Sequence, residues 1–335
     1  MWLFVLLGAT LVGGVIYLYN NPPIILLRMS LPVIEPISPA QLQRLQALQT
    51  SADVPESEQY QIAGSASRAT VPFHAIHANS VQVNGIRASL FFDTGSPGTM
   101  IPADVAIRAN VPLTSDPPEK DRFPWGEVTV YRAILPSLKI GSLEIKNVPV
   151  GVLADKVIFK LGGIFPLSNF GGLVGLDVMK HFALQLDLGH DKLTLIRPTS
   201  ETKAVLQGLP SVPFELVKEK ITVRATIEGQ GPYQLFIDTG AGINRVIVSE
   251  KVGQDLKIPQ IATDVKMILS KKSSFSIRSF QLGPIEFHDL VGVAISKEIP
   301  LSEFDGVIAT EIFKGYTLIF DFTDNKLYLK NLGAK

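Results

Sequence analysis

The chain has 335 residues, enough for about two domains, and is 46% hydrophobic, so sizeable cores are available. Its 31 basic and 31 acidic side chains cancel, and no basic surplus points to nucleic acid or to an anionic membrane surface. The absence of cysteine excludes disulfides, thiolate metal sites and a cysteine nucleophile.

Residues 2–19, WLFVLLGATLVGGVIYLY, carry no charge, and the first charged side chain is Arg28. A membrane span takes about 20 residues, so residues 1–21 are expected to form a single transmembrane helix, with Trp2 and Tyr17 or Tyr19 at the interfaces. The rival is a cleaved signal peptide, for which a basic n-region and a clear A-x-A site are missing. With almost no tail ahead of the anchor, the rest of the chain is expected on the extracytoplasmic side, periplasmic in a bacterium. Arg28 on the far flank argues weakly against export.

Residues 22–70 are punctuated by Pro22, Pro23, Pro32, Pro36 and Pro39 and read as a spacer or a pro-segment. One short helix is predicted at SPAQLQRLQALQ (38–49), with Ser38 as a cap and Leu42, Leu45 and Leu48 on one face.

From residue 71 the pattern is short alternating strands with turn signals, and it repeats. VPFHAIHANSVQVNGIRASLFFDTG (71–95) matches VPFELVKEKITVRATIEGQGPYQLFIDTG (212–240). LKIGSLEIKNVPVGV (138–152) matches FQLGPIEFHDLVGVA (280–294), and GGLVGLDVMKHFALQLDLGHDKLTL (171–195) matches FDGVIATEIFKGYTLIFDFTDNKLYL (304–329). Three blocks recur in one order about 140 residues apart, the signature of an internal repeat. The expected domains are therefore 71–197 and 212–335, joined by a linker at 198–211. Short helices are predicted at 176–182 and 310–316, each followed by a hairpin with its turn at 189–191 or 323–325.

Each copy runs an apolar strand into an aspartate and a Thr-Gly turn: FFDTGS at 91–96 and FIDTGA at 236–241. Strand interiors disfavour aspartate, and a buried carboxylate is costly unless paired or hydrogen-bonded. One such residue is a turn cap; two in matching contexts ask for another reason. Together with the later apolar-apolar-Gly element, Leu173-Val174-Gly175, the pattern resembles the aspartic peptidases of the pepsin and retropepsin clan over residues 71–330. That resemblance implies an all-β fold of two retropepsin-like β-barrel lobes related by a pseudo-twofold axis. It also implies a cleft for an extended polypeptide substrate, and a monomer that forms its dimer-like site within one chain.

Two carboxylates about 3 Å apart cannot both ionise, so they share a proton and split the roles of base and acid. Asp93 and Asp238 are the expected catalytic pair. No metal or cofactor is required. Gly95 and Gly240 permit the tight turn. By resemblance, Thr94 and Thr239 turn inward and bond across the axis, and the Ser96 hydroxyl bonds the aspartate, with Ala241 in its place in the second copy. Gly175 is matched by Ala309, a departure expected to be tolerated. A flap is expected at 117–130, with Trp125 and Gly126 near its tip, and a second at about 263–277. Asp177, Asp187, Asp305 and Asp321 are expected to be turn, structural or surface groups. The five histidines form no metal-ligand spacing, and no G-x-S-x-G occurs.

The expected function is a membrane-anchored aspartic endopeptidase. Two rivals are an inactive relative that binds peptides or serves as a scaffold, and an enzyme whose dyads form between chains.

Overall fold

The computed structural model describes residues 33–50, 54–72, 81–123, 126–161, 165–169, 171–198, 203, 206–241, 246–263, 274–296 and 304–333. Strands dominate them and the helices are short, so the described part is all-β. The expected anchor at 1–21 lies outside the described residues. Among those described, no helix is long and apolar enough to cross a membrane.

The first half is built on two long strands, Gly126–Ile140 and Leu143–Leu153, paired antiparallel across the Gly141-Ser142 turn. Gly141 takes φ +55, where a side chain would be strained. Ala133, Leu135, Leu138 and Ile140 are buried in the main core, while Val128 is buried in a smaller apolar cluster with Leu153, Val157 and Leu173. Beyond Leu143–Leu153 the sheet continues through Met100–Pro102, Leu173–Val174 and Phe91–Phe92. The second half has its own sheet. There Leu290–Ile295 is followed by Val246–Ser249, Gly306–Ala309 and Gln230–Asp238. In each half the strand that ends at the aspartate lies parallel to the later apolar run: Phe91 against Leu173, and Asp238 against Ala309.

A third sheet joins the halves. Its six strands run in the order Ser211–Pro213, Lys326–Asn331, Tyr316–Asp321, Ala183–Asp187, Lys192–Ile196 and Arg68–Pro72. The central pairing sets Leu184 against Phe320 and Leu186 against Leu318, all four fully buried. Both predicted final hairpins are present, and their meeting is what joins the halves. Asp187 and Asp321 cap their turns, accepting from the backbone N–H of His190 at 3.2 Å and of Thr323 at 2.9 Å. The predicted short helices appear as Leu176–Met179 and as a 3-10 turn, Thr310–Phe313.

The segment read as a spacer or pro-segment is structured from residue 33 and packs on the first half. Val33–Pro36 pairs with Asp155–Leu161, and Gln61–Ala63 pairs with Leu143–Leu153. The predicted helix forms at Pro39–Gln46 with Ser38 in a capping box. Leu45 is fully buried, with Leu42 and Leu48 packed beside it. Of the prolines that suggested a spacer, Pro22, Pro23 and Pro32 lie outside the described residues, while Pro36 closes the strand and Pro39 opens the helix, where its missing N–H costs nothing. The end of the 198–211 linker is also ordered, since Leu206 is buried and Ser211 opens a paired strand.

Candidate active site

Asp93 leaves the Phe91–Phe92 strand, and its backbone N–H donates to the Val174 carbonyl at 3.0 Å. Asp238 ends the Gln230–Asp238 strand in register with Ala309. Each chain then turns through Thr-Gly, and the glycine N–H donates back to the carboxylate. Gly95 donates to Asp93 Oδ1 and Gly240 to Asp238 Oδ1, both at 2.8 Å.

The threonines lock the turns to each other. The Thr94 N–H donates to Thr239 Oγ1 at 2.9 Å, and the Thr239 N–H to Thr94 Oγ1 at 3.0 Å. The Thr94 hydroxyl donates to the Ile237 carbonyl and the Thr239 hydroxyl to the Phe92 carbonyl, both at 2.9 Å. Both threonines are buried, so four satisfied bonds cross between the halves where any unpaired group would be costly.

This brace brings the two aspartates together. Each carboxyl lies against the turn glycine of the other loop, Asp238 against Gly95 and Asp93 against Gly240. The approach leaves no room for side chains on the turn glycines. A Cβ on Gly240 would fall 2.6 Å from Asp93 Cγ, and one on Gly95 would fall 2.6 Å from Asp238 Oδ2.

The pair is electrostatically unequal. Burial pushes both carboxyls above the usual range. For Asp93 the bonds from Asp238 and from the Gly95 N–H work against that rise. For Asp238, burial is reinforced by the negative charge of Asp93 and by the shared bond, so its carboxyl is raised further. With both carboxyls raised and in each other's field, the pair holds one shared proton over a range of pH. The titration still belongs to the pair.

Ser96 is buried, but its hydroxyl donates to the Gly98 carbonyl at 2.9 Å rather than to Asp93. The Gly95 N–H already holds Asp93 Oδ1, and the Ser96-Pro97-Gly98 turn offers a nearer acceptor. Ser96 still supports the loop, because its carbonyl accepts from the Leu176 N–H at 2.9 Å. Ala241 packs instead with Phe236, Phe304 and Val307. Gly175 is required by space, since a Cβ there would lie 2.5 Å from the Gly98 carbonyl oxygen. Ala309 is buried and carries its methyl in the corresponding strand.

The expected first flap is a hairpin of Glu119–Phe123 with Gly126–Ile140, Phe123 facing Gly126. Gly126 has φ +142, and a Cβ on it would press on Ile34 of the N-terminal segment at 2.6 Å. Trp125 lies outside the described residues, as do 264–273 of the second flap. Tyr131 is buried farther down the strand, where its hydroxyl accepts from Gln46 Nε2 at 3.4 Å.

Two groups around the site were not singled out from sequence. Asp177 was expected to be a turn, structural or surface group, and what it supports is the first loop. It accepts from Thr99 Oγ1 at 2.8 Å and from the Tyr60 hydroxyl at 3.1 Å, while Thr99 Oγ1 accepts from the Gly175 N–H at 3.0 Å. Lys220 donates to the Gly95 carbonyl. A Thr six residues after the first aspartate and an Asp two residues after Gly175 were visible, but nothing in the sequence pairs them.

No curated protein matches the chain. Residues 79–178, which contain Asp93 and end just past Gly175, match a family model described as aspartyl protease, and this supports an aspartyl protease family for the chain.

Proposed function

We propose that the protein is a membrane-anchored aspartic endopeptidase with one active site formed between two retropepsin-like lobes, Asp93 from the first and Asp238 from the second. The observation that carries this reading is a pair of buried carboxyls brought together on two cross-braced Asp-Thr-Gly turns. The lobes act as a pseudo-dimer inside a monomer, and residues 1–21 anchor them on the extracytoplasmic face.

The chemistry follows from two adjacent carboxyls that share one proton, with Asp93 assigned as base and Asp238 as acid. Asp93, ionised, takes a proton from water as its oxygen bonds to the scissile carbonyl carbon. Asp238, protonated, donates to the carbonyl oxygen, so a neutral tetrahedral diol forms. Collapse breaks the C–N bond as Asp93 passes its proton to the leaving nitrogen and a diol hydroxyl returns a proton to Asp238, which restores the singly ionised pair. An extended peptide is held by strand-like backbone bonds.

Digestion of a peptide library by the full chain in detergent, with and without pepstatin, tests the reading. Pepstatin-sensitive cleavage is expected. Pepstatin binding without cleavage of any peptide would leave the inactive peptide-binding alternative. A rate that rises with the square of enzyme concentration at high dilution would put the dyad between chains.

A further inference from the structure

Lys220 stands where few lysines stand. It opens the Lys220–Ile227 strand after a tight turn at Lys218 and Glu219, both with positive φ. The turn belongs to the second half, yet the ammonium donates to the carbonyl of Gly95 in the first. Gly95 is the residue whose N–H holds Asp93 and whose Cα faces the Asp238 carboxyl. One carbonyl thus sets a positive charge beside both aspartates.

The surroundings favour a strong effect. The ammonium lies 5.7 Å from the centroid of the Phe236 ring, and the residue is only half exposed, so water screens it incompletely. Among the described residues no carboxylate forms a salt bridge with it. The charged groups around it are few. Asp93 and Asp238 face it from the two loops, and both feel its charge. Glu219, next to it on the turn, acts on Tyr60. Asp177, behind the first loop, is occupied by Thr99 and Tyr60.

We propose that Lys220 is the resident counter-ion of the carboxyl pair, a positioning residue that holds the pair singly ionised at lower pH than the pair alone would be and so sets the acidic placement of the working range. A neighbouring cation favours each added negative charge. It therefore eases the first ionisation, which creates the general base. It equally eases the second, which destroys the general acid. Both limbs of the activity profile move to lower pH together.

The inference rests on the proposed hydrolytic pair, and two measurements separate the fates of the two ideas. The first is the pH profile of kcat/KM on fluorescently labelled casein for the full chain, Lys220→Met and Lys220→Arg. Lys220→Met should raise both limbs by about one pH unit, and Lys220→Arg should leave them nearly in place. A fall in kcat or stability with unmoved limbs would make Lys220 a mere tie between the halves and overturn the proposal.

The second is a thermal cycle that needs no activity. Asp238→Asn should raise the unfolding midpoint at neutral pH, and the gain should be larger in the Lys220→Met background, where the two carboxylates lack their cation. An equal gain in both backgrounds would also overturn the proposal. If casein is not cut at any pH, the hydrolytic reading fails while the thermal cycle still decides the role of Lys220.

Discussion

Gly95 and Gly240 close the same bond to the aspartate two residues before them, yet what stands behind the two turns differs. Behind the first lies a polar stack in which the Gly175 N–H, Thr99, Asp177 and Tyr60 are joined by hydrogen bonds. Beside the second lies an apolar cluster of Phe236, Phe304, Val307 and Ala241. The N-terminal segment contributes Tyr60 to the first surroundings. One local motif therefore presents its carboxyl in two environments. The lesson is that base and acid can be assigned by surroundings and order of ionisation while the loop geometry stays common.

Four experiments press on that difference. The largest effect is expected from the carboxyls themselves. Asp93→Asn and Asp238→Asn should each lower peptide hydrolysis by about 10³-fold or more, and the double variant should be no worse than either, because the pair acts as one unit. Near-normal turnover in Asp238→Asn alone would make the second loop a structural partner only.

Next comes packing behind the loops. Gly175→Ala puts a methyl against the Gly98 backbone and should cost about 1–3 kcal/mol in denaturant unfolding, with loss of activity as the first loop shifts.

The third effect is one of pH. Because the Asp238 carboxyl is raised, its contribution favours folding below the ordinary carboxylate pKa and is lost as pH rises through the raised one. Asp238→Asn should therefore raise the thermal midpoint at neutral pH, and the gain should vanish in strong acid, where both side chains are neutral. A gain that persists unchanged at low pH would place the effect in packing instead.

The smallest effect is the reciprocal exchange. Ala309→Gly should cost about 0.5–1 kcal/mol of strand stability and leave kcat within about twofold. A large rise in kcat would show that the Ala309 methyl restrains the second loop.

Much of this arrangement was legible along the chain. The two aspartates stood out because a carboxylate at the end of an apolar strand needs a reason, and the reason recurred with the same glycine after it. Ser38 announced its helix, and the turn residues announced both final hairpins, since caps and turns are decided by bonds within a few residues. Leu45 was predicted on the packed face, although the prolines around it suggested a spacer. Ile34 and Tyr60 gave no such signal, because single apolar residues in an irregular segment carry no periodicity.

Local chemistry, written in residue order, was enough for the strands and turns of the repeats and for the two matching Asp-Thr-Gly turns, but not for the strands Val33–Pro36 and Gln61–Ala63. Contacts between residues more than a hundred positions apart were decided only by the folded chain. Even within the first turn, backbone geometry and not residue type gave the Ser96 hydroxyl to Gly98 instead of Asp93. Asp177 and Tyr60 met across 117 residues, and Lys220 reached Gly95 across 125. Such pairs depend on how two sheets are seated against each other, and no spacing along one strand encodes the charge that will lie across the interface. The two turns are alike because their bonds are local, and their surroundings differ because burial and charge come from the rest of the fold.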